Sequence, residues 1–267
     1  MSIPHARLPT DLTLHVGDEE SLLERLRDGS PGTELVLTPV ELHRRNVQRR
    51  LREAHAPKDG IEFADPADVG VRLLDHADGV GPSIDCIDRI DRLSMIRSVH
   101  ADGSGSSIGP GVPEDPRAIE QLRTEIENVT GFHPARLRRL RDAAGAIATP
   151  IDADARERID AAVDIERALR NRTDSHVSDV ALVRRAIGLL RETDGVAWRS
   201  AFPDVTCVSF VGVSSVSAVY ADLLHVLLER SSVDVHLHLR RGTGPYLARR
   251  LPDLFDVDAP GAVVFEP

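Results

Sequence analysis

The 267-residue sequence predicts an α/β protein: a mainly parallel sheet interrupted by an all-helical insertion. Three observations carry this. Strand and helix periodicities alternate over the first 80 residues, only helical periodicity is found from Ile84 to Glu192, and the alternation returns after Trp198. Alternation of this kind argues for parallel strands joined by crossover helices. The expected domains are a discontinuous α/β domain, 1–80 with 200–267, and a helical domain, 81–199.

Each element has its own reason. Residues 11–17, Asp-Leu-Thr-Leu-His-Val-Gly, alternate like a strand and run into an acidic helix start at Asp18-Glu19-Glu20. Leucines at 22, 23 and 26 mark one face of that helix, Asp18 suits its N-cap, and Gly29 stops it. Glu34-Leu-Val-Leu-Thr38 predicts a second strand. Thr38-Pro39-Val40-Glu41 then reads as a capping box with proline at the first helical position, opening a helix to about Ala56. Ile61–Phe63 suggests a short strand and Pro66–His76 a helix. Further helices are expected at 84–99, 116–129, 134–146, 152–171 and 177–193, with no strand among them. The Gly-, Ser- and Pro-rich stretch 101–116 is expected to be a mobile loop. Val205–Gly212 predicts a buried strand and Ser215–Arg230 a helix. Val233–Leu239 alternates as a strand, Tyr246–Leu254 is helical, and Ala262–Phe265 reads as a last strand. That last strand would need a neighbour, so the chain reads as part of a longer protein.

Composition narrows the function. No apolar run is long enough to span a membrane, and no secretory signal is visible at the N-terminus. Cys86 and Cys207 stand alone, which excludes a disulfide framework and points to the cytoplasm. The net charge is −10 and aromatics are only 3%. With arginine replacing lysine almost throughout, this suggests a salt-adapted surface. Lys58 is the sole lysine and lies in a turn, Ala-Pro-Lys-Asp-Gly, so no phosphate loop of the GxxxxGK[ST] type exists.

The order of elements resembles the N-terminal half of a UvrD/Rep-type superfamily 1 DNA helicase, a RecA-like (P-loop NTPase-like) domain with a helical insertion. It is most similar to the degenerate helicase-like half of AddB/RexB nuclease subunits. Residues 34–51, from Glu-Leu-Val-Leu-Thr through Arg-Arg-Asn-Val-Gln-Arg-Arg-Leu, resemble the strand, threonine and arginine-bearing helix that touch single-stranded DNA. Gly60-Ile-Glu-Phe63, Gly131-Phe-His-Pro134 and Ser178–Val183 sit where the family has comparable segments, and Phe210-Val-Gly212 resembles the glycine-bearing strand that replaces the Walker B segment in degenerate members. The resemblance implies nucleic-acid contacts from Thr38, Arg44, Arg45, Arg49 and Arg50, with Arg136 and Arg139 on an inserted helix.

Two departures imply that ATP hydrolysis is lost. Val16-Gly17 passes directly into Asp18-Glu19-Glu20, leaving no residues for a phosphate loop and placing carboxylates where phosphate would sit. After the hydrophobic strand, Val211-Gly212-Val213-Ser214-Ser215 contains no carboxylate for magnesium or water. No catalytic triad, nuclease acid cluster, metal site or cofactor site is expected. His236 and His238 share one face of their strand as zinc ligands would, yet lack an obvious third ligand, so a solvated edge strand is the expectation. Arg240-Arg241-Gly242-Thr243-Gly244-Pro245 could bind phosphate or simply turn the chain. Trp198, Tyr220 and Tyr246 are too scattered for a base-stacking platform.

The expected function is a catalytically inactive helicase-like module in DNA repair or recombination. Its partners would be single-stranded DNA, a helicase or nuclease subunit, or missing C-terminal domains. The alternative is a small-molecule or nucleotide-processing enzyme on a doubly wound fold, with its site near Gly17, Gly212 and Arg240.

Overall fold

A computed structural model describes residues 11–17, 20–28, 32–38, 40–55, 60–78, 85–87, 89–101, 115–146, 155–172 and 176–265. Asp18, Glu19, Gly29, Pro39, Lys58 and most of the 101–116 loop lie outside the described residues. The chain divides into two compact units: 1–80 with 182–216 and 220–260, and 81–181 with 217–219 and 261–267.

The first unit holds a five-stranded, all-parallel sheet in the order β1-β7-β6-β2-β3. Its strands are β1 (Leu12–Val16), β2 (Thr33–Leu37), β3 (Ile61–Ala64), β6 (Val205–Val213) and β7 (Asp234–Leu239). The four strands expected from both ends of the chain therefore share one sheet. β2 and β6 are buried almost along their whole length, as parallel strands covered on both faces must be. Leu22, Leu23 and Leu26 of α1 (Glu20–Asp28) and Val47 and Leu51 of α2 (Glu41–Glu53) cover one face. They pack on Val36 and Val211 of the sheet. The leucine face read from the sequence is thus the buried one. α3 (Pro66–Asp78), α9 (Val196–Ala201), α10 (Ala218–Arg230) and α11 (Gly244–Phe255) complete the strand connections, α11 resting on β1 and β7.

The second unit is mainly helical. Its helices α4 (Arg89–Ala101), α5 (Pro116–Thr130) and α7 (Ala155–Arg170) share a core of Ile96, Val99, Ile119, Ile165 and Leu169. A second cluster joins Phe132 to Leu137 of α6 (Pro134–Ala146) and to Ile159 and Val163. Gly131 ends α5 in the left-handed conformation, φ 61°, its N–H donating to Glu127 O at 2.7 Å. Only glycine takes that turn without strain. α8 (Asp179–Glu192) follows this segment.

Five expectations need correction. Thr38 does not cap α2: the N-cap is Val40, in extended conformation and without a side-chain cap bond. The Thr38 N–H instead donates to Ala64 O at 3.1 Å, which holds it in the sheet. The 84–192 stretch contains two strands, β4 (Asp85–Cys86) and β5 (His176–Val177), paired in parallel. At two residues each, they are too short to imprint a period. α9 was not expected, and at six residues it too falls below the length at which periodicity speaks. Residues 262–265 form no strand; Val263 enters the Phe132 cluster and the Val264 N–H donates to Phe132 O at 3.1 Å. Packing against helices, not a sheet edge, accounts for that apolar run. Finally, β7 is internal, between β1 and β6, so its histidines do not form a solvated edge.

Candidate nucleic-acid interface

The connection from β2 to β3 runs outward in one direction and that from β6 to β7 in the other, so the adjacent β2 and β6 form a switch point. In parallel sheets, crevices open beyond the strand ends at such points. Here there is a pocket of about 230 Å³, lined by His43, Asn46, Val47, Arg49 and Arg50 of α2, Val211 and Gly212 of β6, and Arg240 just after β7.

Gly212 shapes it. Its φ is +75°, and the register between β6 and β7 shifts between Phe210 and Val213, a β-bulge. A Cβ there would lie 2.5 Å from His43 Nδ1, so only glycine lets the strand end pass beneath α2. The Arg240 guanidinium donates to His43 Nε2 across the pocket.

α2 carries five arginines against two acids, and the pairs expected from spacing do form. Arg45 Nε donates to Glu41 at 2.9 Å and Arg49 Nη1 to Glu53 at 2.8 Å. Arg44 lies 4.0 Å from Glu41, and Arg50 pairs with Glu20 at the start of α1. Arg45 and Arg49 remain 74% and 59% exposed, so their pairs are solvated and weak. Glu20 is therefore the one member of the expected acidic trio with a described role: it neutralises an α2 arginine.

Of the residues singled out from the sequence, Arg49 and Arg50 line the pocket, while Arg44 and Arg45 lie on the same helix towards its start. Thr38 is 3% exposed at the end of β2, its hydroxyl without a hydrogen-bond partner among the described residues. Arg136 and Arg139 belong to the second unit, the first buried and the second exposed on α6.

Sequence reasoning missed a polar network beneath α1. Arg25 Nη2 donates to Glu34 and to Ser209 Oγ, both at 3.0 Å, and lies 3.3 Å from His238 Nε2. The Ser209 hydroxyl donates to Glu34 at 2.5 Å. The His238 ring stacks on His15 at 4.3 Å, and His15 Nε2 is 2.9 Å from His236 Nδ1. Ser21 Oγ meets His15 Nδ1 at 3.0 Å. Burial, with Arg25 and His15 alongside, lowers the His236 pKa to about 4. The signal was present: Glu34, Ser209 and His238 are polar residues on otherwise apolar buried strands, where such groups need partners. Among the described residues, no group of three or more His, Cys, Asp or Glu side chains could hold a metal ion. Burial and Glu34 push the Cys207 thiol up to about 12, which leaves it a packing residue and not a nucleophile. Among the described residues, no helix is long and apolar enough to cross a membrane.

Compared with known families, residues 1–266 match the family described as Halobacterial UvrD-like protein. No curated protein matches the chain.

Proposed function

Since the chain belongs to the halobacterial UvrD-like family, we propose that it is a helicase-like module without ATPase activity that binds single-stranded DNA through α2. The observation that carries this is the basic, exposed α2, five arginines to two acids, flanking a crevice at the strand ends of a parallel sheet. Guanidinium forks suit phosphate oxygens, and contacts of that kind position a strand without reading its sequence. On this reading the sheet is RecA-like and the 81–199 segment is an insertion, which the compact grouping of 81–181 supports. Arg136 and Arg139 of α6 would add contacts from that segment. The likeness to AddB/RexB subunits further implies a partner helicase or nuclease subunit in repair or recombination.

Loss of ATP hydrolysis is supported by two features of the sequence. Lys58 is the only lysine, and the end of β6 with the residues after it, Val213-Ser214-Ser215, supplies no carboxylate for magnesium. Nucleoside triphosphate chemistry needs both a phosphate cradle and a metal ligand.

The test is titration of labelled single-stranded oligonucleotides across a salt series, with circular dichroism confirming the fold at each salt, and calorimetry with magnesium-ATP alongside. The expected result is salt-dependent strand binding that is equal for unrelated sequences, with no ATP binding. Micromolar ATP affinity, or no strand binding at the lowest salt that keeps the protein folded, overturns the proposal.

A further inference from the structure

We propose that the pocket between α2 and the ends of β6 and β7 is a discrete site for one phosphate group, held by Arg49, Arg50 and Arg240. Its biological ligand rests on the nucleic-acid reading above; its existence as an anion site does not.

The first argument is charge. Three guanidinium groups, the His43 imidazole and the Asn46 amide line the pocket, and no carboxylate among the described residues does. Arg240 donates to His43 and has no carboxylate partner among the described residues. A guanidinium placed beside an imidazole attracts an anion to the same place. Arg49 and Arg50 do have acids, Glu53 and Glu20, but these are 60% and 61% exposed. Such solvated pairs contribute little and are readily exchanged for a phosphate, which accepts from several forks at once.

The second argument is shape. The volume of about 230 Å³ lies below the range of roughly 300–1,000 Å³ typical of pockets for drug-sized ligands. That space suits a single phosphate with its ester oxygens. The Gly212 bulge keeps this space open, because any side chain there would strike the His43 ring. The third argument is position: Arg240 comes from β7, and Arg49 and Arg50 come from α2, two segments nearly 200 residues apart by the numbering. The fold, not one charged helix, assembles the site.

The experiment uses the full chain and inorganic phosphate, followed by calorimetry with chloride held constant, beside two oligothymidylates that differ only in a 5′-phosphate. Wild type should bind inorganic phosphate saturably. Arg240→Gln should weaken that binding about tenfold, the loss expected for one charge-assisted contact. Arg249→Gln, exposed on α11 and outside the pocket, should change it by less than about twofold. Arg240 is exposed, so its variant is expected to fold, and a melting curve checks this. Tighter binding of the 5′-phosphorylated strand assigns the site to a strand terminus; equal binding of both strands assigns it to an internal phosphodiester. Either supports the site. Absence of saturable phosphate binding, or equal losses from Arg240→Gln and Arg249→Gln, overturns it. A protein that binds phosphate but no strand keeps the pocket and loses the nucleic-acid reading, so the two failures are distinct.

Discussion

Arg25 and Arg123 are both drawn under cover, and the two units satisfy them differently. In the second unit Arg123 is 2% exposed and its fork is filled by carboxylates: Glu120 at 2.8 Å, Glu166 at 2.9 Å and Glu127 at 3.0 Å. Arg92 shares a Glu120 oxygen with Arg123 and Arg170 takes the second oxygen of Glu166, so three cations meet three anions. Burial alone would lower the Arg123 pKa, but the surrounding carboxylates outweigh it and hold it above the ordinary arginine value. In the first unit Arg25 is 22% exposed and has one carboxylate, Glu34, sharing its remaining hydrogen bonds among Ser209, His238 and the Ser21 carbonyl. The first arrangement is closed and dominated by ion pairs. The second ends in a stack of histidine rings. An arginine in this chain thus reports nothing by its type; its partners decide whether it fastens helices, tunes histidines or faces solvent.

The contrast predicts its own largest effect. Arg123→Leu leaves three carboxylates packed together with no central cation, and breaking a buried pair of this kind costs about 3–5 kcal/mol. Thermal unfolding followed by circular dichroism should show a loss of that order. A cost below about 1 kcal/mol would mean that the cluster relaxes into solvent.

Arg25→Leu should cost less, about 1–3 kcal/mol, chiefly from leaving the buried Glu34 carboxylate with only the Ser209 hydroxyl. Denaturant titrations of the two variants side by side rank them. Equal losses would show that the number of carboxylates around the fork is not what matters.

The histidine stack separates the units by pH. The folded-state pKa of His236 lies near 4, below the ordinary 6.5, so folding favours the neutral ring. Its stabilisation is complete above about pH 6.5 and is lost as pH falls from 6.5 towards 4. The charges facing it are Arg25 of α1, Glu34 of β2, Asp234 of its own strand and the neighbouring His15. Because the ring is only half-buried, the slope should stay below one proton's worth, about 1.4 kcal/mol per pH unit. His236→Phe should flatten stability between pH 6.5 and 4 relative to wild type. An unchanged slope would place the titration elsewhere.

These contrasts also mark what the sequence could reveal. The sheet was legible because each strand is a short apolar run followed by helical periodicity, and Leu22, Leu23 and Leu26 are buried where their spacing put them. Pairing was not legible at two residues, so β4 and β5 escaped, and Ala262–Phe265 was misread because an apolar run does not say whether helices or strands will cover it. The α2 arginines and their acids were legible, since helical spacing brings Glu41 to Arg45 and Arg49 to Glu53. The crevice was not, because His43 meets Arg240 and Gly212 only after β6 is inserted beside β2. Long-range assembly leaves no period in the chain.

The smallest expected effect on stability falls on the most exposed arginines, and there it carries the functional weight. Arg45 and Arg49 each pair with a glutamate one turn away and are more than half exposed. Replacing both by Ala should shift stability by less than about 0.5 kcal/mol, within the range of surface ion pairs and surface substitutions. Strand binding should respond quite differently. If each arginine meets a phosphate, the slope of log affinity against log salt should flatten by about 0.7 per lost contact on single strands. The loss should be the same for two unrelated sequences, since phosphate carries no base identity. Fluorescence anisotropy over a potassium chloride series, started at the lowest salt that keeps the fold, measures both quantities on one sample. A variant that keeps wild-type affinity and slope would reduce α2 to a solvated face. A variant that loses as much stability as Arg25→Leu would show that these surface pairs hold α2 in place, and the contrast between exposed and covered arginines would fail.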